Sequence, residues 1–428
     1  MINFENMDQA QLVNTLAELT EKYKEYAAMG LALDMSRGKP GGGQLCTSDP
    51  MLDVLRSDSD MNTENGFDAR NYGLFDGIPE CKRLFADILE TTPDNVIVLG
   101  NSSLSIMFDF VSQCMTHGAG GEPWISQGKI KFACPVPGYD RHFSILEYFG
   151  IEMVNVPMNS GGPDMDMLEE LVKDPSVKGM ICVPKYSNPT GITFSDDAVR
   201  RIAAMKPAAK DFRIIWDNAY VLHDLGEESD RLLEILSECE KNGSGDMVFE
   251  VASSSKMTYP GAGVAALASS KNNLDFIRKR LFVQTIGHDK VNQLRHARFF
   301  GGIDGLKAHM KLQAEHLAPR FQIVFDKLRE SFGENGIASW FEPRGGYFVN
   351  LEVPENCAKR AISLCKAAGV TLTGVGAAFP YGKDPGDSNI RIAPTYPKTD
   401  ELSAAMDVLC LCVKIAYIEK NSKQKLLP

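Results

Sequence analysis

The chain has 428 residues, 44% hydrophobic and 24% charged, a balance that excludes sustained disorder and a long coiled coil. Lys and Arg number 45 against 56 Asp and Glu, and the formal net charge of -11 argues against a nucleic-acid partner. Apolar runs such as Gly263-Val264-Ala265-Ala266-Leu267-Ala268 are too short for a membrane span. The opening Met1-Ile2-Asn3-Phe4-Glu5-Asn6 has neither the basic flank nor the apolar core of a secretory leader. Ten cysteines without a C-x-x-C pair fit free, mostly buried thiols in a reducing, cytoplasmic setting.

The first element is a helix, with Leu12, Leu16, Leu19, Tyr23 and Tyr26 at helical spacing and Gly30 placed to stop it. Short apolar runs at 96–99, 180–183 and 213–216 then alternate with helical stretches at 102–116 and 139–149. Strands spaced by helices imply crossover connections and a parallel sheet. Further strands are expected at 247–251 and 264–269. Residues 290–332 read as one or two long helices, suited to connect two domains. The tail alternates again, with strands at 347–351 and 389–393, a helix near 355–368 and a closing helix from Thr399. The expected architecture is α/β. A large domain (51–300) carries a mostly parallel sheet flanked by helices, and a smaller α/β domain (301–428) follows. Residues 1–50 form an N-terminal helix and segment packing with the small domain.

Several patterns carry no chemistry. Gly38-Lys39-Pro40-Gly41-Gly42-Gly43 lacks the P-loop spacing, and Gly261-Ala262-Gly263 is too short for a dinucleotide fingerprint. The seven histidines show neither H-x-x-x-H nor H-E-x-x-H, so no metal site is expected. His223 reads as a structural hydrogen-bonding residue. Three other segments matter by their order. Tyr186-Ser187-Asn188-Pro189-Thr190-Gly191 follows one strand, Trp216-Asp217-Asn218-Ala219-Tyr220 ends the next, and Ser253-Ser254-Ser255-Lys256 follows a third. Each alone is more ordinary as a polar turn, a strand-end acid or an exposed loop lysine. Together they set Asn188, Asp217 and Lys256 at strand ends, 29 and 39 residues apart, where an open parallel sheet binds its ligands.

On these segments the sequence resembles the fold-type I, pyridoxal-phosphate-dependent aminotransferases of class I/II. The likeness runs from Ser36-Arg37-Gly38-Lys39-Pro40 to Asn389-Ile390-Arg391-Ile392-Ala393. Within that class it is similar to the MocR-like branch, which includes atypical bacterial aspartate aminotransferases. Only some thirty-five residues precede Ser36, where the likeness begins, so the N-terminal DNA-binding domain of the MocR regulators is not expected. The resemblance implies pyridoxal 5'-phosphate as cofactor, with Lys256 as the lysine that bonds its aldehyde and shuttles a proton. Asp217 would keep the ring nitrogen protonated, and Asn188 and Tyr220 would bond the ring's phenolate oxygen. Tyr139 resembles the aromatic that stacks on the ring. Ser102, Ser103, Ser253 and Ser255 resemble the phosphate contacts, joined by Tyr72 from a partner subunit in a homodimer with shared active sites. Arg391 resembles the arginine that clamps the substrate α-carboxylate, with Asn188 and the backbone at Gly38 on the substrate side.

One departure stands out. Relatives carry an arginine in a Pro-Gly-x-Arg run after the lysine, whereas this chain reads Pro260-Gly261-Ala262-Gly263. Lys290 or Arg298 could supply the missing charge. A dicarboxylate substrate needs a second cation, for which Arg37 and Arg141 are the candidates. The implied reaction moves the amino group of aspartate or glutamate to a 2-oxo acid such as 2-oxoglutarate. An aromatic or kynurenine-type aminotransferase, a pyridoxal-phosphate-dependent lyase and a catalytically silent binding protein are the alternatives.

Overall fold

The computed structural model describes residues 7–333 and 336–422; residues 1–6, searched above for a leader, lie outside them. The chain opens with helix Gln9–Ala28, whose first turn is closed by a reciprocal capping box between Asp8 and Gln11. A two-residue strand, β1 (Leu33–Asp34), follows. Eight strands then build one sheet: β2 (Val96–Val98), β3 (Lys131–Val136), β4 (Glu152–Asn159), β5 (Gly162–Pro163), β6 (Val177–Cys182), β7 (Arg213–Asp217), β8 (Val248–Ser253) and β9 (Ala265–Ser269). Their spatial order is β2-β9-β8-β7-β6-β3-β4-β5. Strands β4, β3, β6, β7 and β8 run parallel, while β9 is antiparallel to both its neighbours.

A parallel sheet is covered on both faces, and its strands are therefore apolar on both sides. In β7, Ile214 and Trp216 enter one apolar layer and Ile215 the other; in β8, Val248 and Ala252 oppose Phe249 and Val251. This two-sided core is the large α/β domain expected from the alternation of runs.

The remaining strands are β10 (Ser339–Trp340), β11 (Val349–Glu352), β12 (Val370–Thr371) and β13 (Asn389–Ile392). An antiparallel sheet has the order β10-β11-β13, and β12 pairs with β1. Leu12 and Leu16 of the first helix share a separate core with Leu328, Val349, Ile392, Leu402 and Leu409. The Tyr23 hydroxyl also donates to the Leu364 carbonyl at 2.9 Å. The N-terminal helix thus lies with the C-terminal third of the chain.

The expected 290–332 segment is two helices, Lys290–Phe300 and Ile303–Phe332, broken at Gly301-Gly302. Gly301 takes a left-handed φ of 64°, which ends the first helix at little cost only for a residue without Cβ. The second helix bridges the two regions. Its Leu306 and Met310 join a core of the large sheet, and its Phe321, Val324 and Leu328 join the smaller core.

Two central strands are absent from the sequence expectations. Pro135 in β3 and Pro157 in β4 argue against strands, because proline cannot donate to a ladder. Pro135 escapes that penalty on one side, since β3 pairs with β6 only as far as Ala133. β6 also starts three residues earlier than expected. Its Lys178 is buried because Asp211 meets it at 2.8 Å, a partner that no local pattern reveals. Among the described residues no helix is long and apolar enough to cross a membrane.

Leu16 is fully buried where the first helix meets the closing helix region. Leu16→Ala should cost about 2–5 kcal/mol in urea unfolding. Native-state hydrogen exchange should place the lost protection in β11, β13 and helix Thr399–Ser422. A loss spread evenly over the eight-stranded sheet would contradict this packing.

Candidate active site

The C-terminal ends of the parallel strands converge on a cavity of about 210 Å³. Asp217 is the last residue of β7, and the buried turn after it carries Tyr220. Asn188 comes from the loop after β6, Tyr139 from the loop after β3, and Ser102 and Ser103 from the start of the helix after β2. Ser253 ends β8, and Ser255 and Lys256 lie in the short helical turn that follows. All nine line the same cavity. Residues from five different strand ends therefore meet; the sequence order points to three of these ends, those carrying Asn188, Asp217 and Lys256.

Burial dominates the electrostatics of the site. The Lys256 amine is enclosed, and burial lowers its pKa from 10.5, an effect partly offset by the Asp217 carboxylate. Its Nζ sits 4.7 Å from the centre of the Tyr220 ring, within cation–π range. Burial, with Tyr139 and Asp217 adding to it, pushes the Tyr220 phenol well above 10. Burial and then Asp217 push Tyr139 up to about 12. Both phenols are thus hydrogen-bond donors at neutral pH. Asp217 Oδ2 lies 3.0 Å from His142 Nε2, while Oδ1 is buried without a protein partner. Burial and the neighbouring Lys256 push His223 down to about 3, so it stays neutral, packed edge-on against Tyr220 and Tyr347.

Backbone contacts hold the lysine in place. The Tyr347 hydroxyl donates to the Lys256 carbonyl at 3.3 Å and accepts from Gln44 Nε2 at 3.1 Å. Gln44 donates in turn to Gln313 Oε1 at 3.0 Å. This buried network ties the N-terminal segment and the bridging helix to the lysine turn.

Arg391, on β13, is buried next to Asn188 of the cavity wall. Its Nη1 donates to Asn188 Oδ1 and to Asp140 Oδ1, both at 3.2 Å, and its Nε donates to Thr373 Oγ1 at 3.2 Å. The guanidinium lies 4.8 Å from the Phe348 ring centre. A Cβ on Gly38 would come within 2.5 Å of that same ring, so only glycine lets the 36–39 loop approach so closely.

At the serine end, Ser102 caps helix Ser103–His117 without a side-chain bond, leaving first-turn N–H groups to meet another acceptor. Ser253 Oγ and Ser255 Oγ are 3.1 Å apart. At Gly263 a Cβ would sit 3.0 Å from both the Asn101 carbonyl and Ser255 Oγ, a spacing that leaves little room for a side chain. Neither substitute cation lines the cavity. Arg298 donates to the carbonyls of Asp60 and Asn62, and Lys290 is buried against the His288 carbonyl at 3.4 Å.

Five expected site residues do not line the cavity; Arg391 and Gly38 adjoin it through Asn188 and Phe348, and the other three lie farther out. Tyr72 is 77% exposed. Arg37 is exposed on the loop beside Gly38. Arg141 is the second residue of helix Asp140–Tyr148 and lines a separate surface depression with Phe108, Asp109 and Tyr148. His142, Asp140, Thr373 and Phe348 were missed. His142 had a readable signal, since it stands three residues after Tyr139 at the start of a helix, on the same face. The others come together only through tertiary packing.

The family model described as aspartate amino-transferase matches residues 7–425. The chain belongs to this family. A putative aminotransferase of Mycolicibacterium smegmatis is 44% identical over 98% of this chain and 99% of its own length. An aspartate aminotransferase of Corynebacterium glutamicum is 42% identical over 98% of this chain and 97% of its own. A crystal structure of a putative aminotransferase from Corynebacterium diphtheriae superposes with a TM-score of 0.92 at 45% identity, covering 94% of this chain and all of the other. The protein is an aminotransferase of the pyridoxal-phosphate fold-type I class, and its large, mostly parallel sheet has the architecture of that class.

In this aminotransferase, among the described residues, His142 is the side-chain hydrogen-bond partner of the Asp217 carboxylate. His142→Asn should lower kcat roughly ten-fold or more, with a smaller change in KM, in steady-state assays. An unaltered kcat would mean that packing alone orients Asp217.

Proposed function

We propose that this aminotransferase uses pyridoxal 5'-phosphate and moves the amino group of aspartate or glutamate to a 2-oxo acid such as 2-oxoglutarate by a ping-pong cycle. The observation that carries the reading is Lys256 and Asp217 lining one cavity, with an unpartnered buried oxygen on Asp217. The residues fit the cofactor. Ser102, Ser103, Ser253 and Ser255, with the helix start, form a neutral cradle of donors for a phosphate. Buried Asp217 Oδ1 offers an acceptor for a protonated ring nitrogen, and Asn188 and Tyr220 offer donors for a phenolate oxygen.

Pyridoxal phosphate, when bound, supplies an aldehyde that takes up the amino group and a protonated ring that accepts electrons from the substrate Cα. The protein's own residues do the rest. Lys256, its pKa lowered by burial, is the amine that would hold the aldehyde and would move the proton at the substrate Cα. Asp217, oriented by His142, would hold a proton on the ring nitrogen. Tyr220, which stays protonated, would donate to the ring's oxygen, and Tyr139 would pack against the ring. Arg391 binds the α-carboxylate and so turns the Cα–H bond toward Lys256.

The acidic substrate is proposed from the relative named aspartate aminotransferase. Arg37 is the better candidate for the distal carboxylate, because its loop lies against Phe348, which faces Arg391. Arg141 faces the outer depression instead. The protein is proposed to work as a homodimer in which Tyr72 reaches the partner's phosphate site. That proposal draws support from the exposure of Tyr72 and of nearby Phe282, Val283 and Ile286.

Aspartate, glutamate, alanine and phenylalanine, each tested against 2-oxoglutarate, should rank with an acidic donor at least about ten-fold ahead in kcat/KM. Arg37→Ala should erase most of that lead, while Arg141→Ala should keep it. Phenylalanine leading the parent ranking would favour the aromatic alternative, and ammonia release without 2-oxo acid would favour a lyase. Sedimentation at the assay concentration should show a dimer; full activity in a monomer would remove the shared-site proposal.

A further inference from the structure

Arg391 is already fully engaged along one edge. Nη1 carries two hydrogens, and Asp140 and Asn188 take both. The single Nε hydrogen goes to Thr373. A carboxylate grips arginine through two parallel bonds, drawn either from the two Nη atoms or from Nε and one Nη. The first pose needs a hydrogen of Nη1, and the second needs that of Nε. Every two-pronged approach therefore displaces a resident acceptor.

The three residents differ in how easily they leave. Asn188 is buried on the cavity wall. Thr373 is locked by donating its own hydroxyl hydrogen to the Ser36 carbonyl at 2.6 Å. Asp140 begins helix Asp140–Tyr148, and its side chain is 35% exposed, so it can rotate into water. It also carries the same charge as the arriving carboxylate. We propose that Asp140 is a resident competitor for Arg391, which the α-carboxylate of every amino-acid and 2-oxo-acid substrate must displace.

This inference rests on Arg391 as the α-carboxylate ligand. Asp140 acts through that arginine and is a positioning residue. With no substrate bound, it keeps the guanidinium paired beside Asn188 of the cavity wall, avoiding an unmatched buried charge. When substrate arrives, it weakens binding, and when product leaves, it helps replace it. Because all donors and acceptors share the α-carboxylate, the effect is blind to the side chain. It therefore differs from the selective role proposed for Arg37.

The test compares the parent holoenzyme with Asp140→Asn and Asp140→Glu. KM and kcat would be measured for aspartate, alanine and 2-oxoglutarate. Affinity for propionate, an unreactive carboxylate, would be read from the bound cofactor's absorbance. Asp140→Asn, which keeps the shape and removes the charge, should lower every KM and the propionate Kd by roughly three- to thirty-fold, with kcat equal or lower. Asp140→Glu should return these values toward the parent. A residue that merely shaped the site would raise KM on replacement. Unchanged or raised KM values in Asp140→Asn, or a drop confined to one substrate, overturn the proposal. Arg391→Ala separates the two layers: if propionate still binds as in the parent, Arg391 is not the carboxylate ligand and the basis of the inference is lost. If that variant loses propionate while Asp140→Asn gains nothing, only the competitor role fails.

Discussion

An enclosed lysine amine is the constraint around which this molecule is arranged. Burying a charged ammonium is costly, and the cost is met either by losing the proton or by matching the charge. Lys256 uses some of both. Burial lowers its pKa, Asp217 opposes that shift, and the face of Tyr220 lies within reach of the ammonium. A lysine with these neighbours is poised between nucleophile and acid, which amino-group chemistry requires. The enclosure also raises the phenols of Tyr220 and Tyr139, so one buried environment sets several protonation states at once.

Holding that amine requires both parts of the chain. Asp217 ends β7, and Lys256 lies in the turn that follows the adjacent parallel strand β8, in which Val251 pairs with Asp217. The Lys256 carbonyl is bonded by Tyr347, which precedes β11 of the smaller sheet, and Arg391 reaches Asn188 from β13. The site therefore lies on the seam between two cores. Helix Ile303–Phe332 spans the seam with residues in both, and Gln44 and Gln313 add a buried polar link beside the lysine turn. Loosening this seam would misplace the arginine relative to the lysine before either residue changed.

Much of this was legible because strand-end chemistry is local in sequence. The run Asn188, Asp217, Tyr220, Ser253, Ser255 and Lys256 marks successive strand ends, and the structure gathers those residues in one cavity. What stayed hidden depends on tertiary context. β3 and β4 carry prolines that local rules read against strands, and buried Lys178 disguises the start of β6 until Asp211 is placed beside it. Asp140 looks like an ordinary acidic residue in the first turn of a helix, and only the fold brings Arg391 to it from 251 residues away. Gly263 could be seen as a departure from the family's arginine. Its reason, backbone and Ser255 crowding on all near sides, needs coordinates. Arg141 stood two residues from Tyr139 in sequence, but the helix turns it toward the outer surface.

Lys256 is proposed to carry the cofactor. Reducing the pyridoxal-phosphate-loaded protein with borohydride, digesting it and mapping the modified peptide by mass spectrometry tests this most directly. The account predicts a single phosphopyridoxyl adduct on Lys256, and its loss in Lys256→Ala with the fold retained. An adduct on another lysine such as Lys290, or no adduct in protein that binds the cofactor, would contradict it.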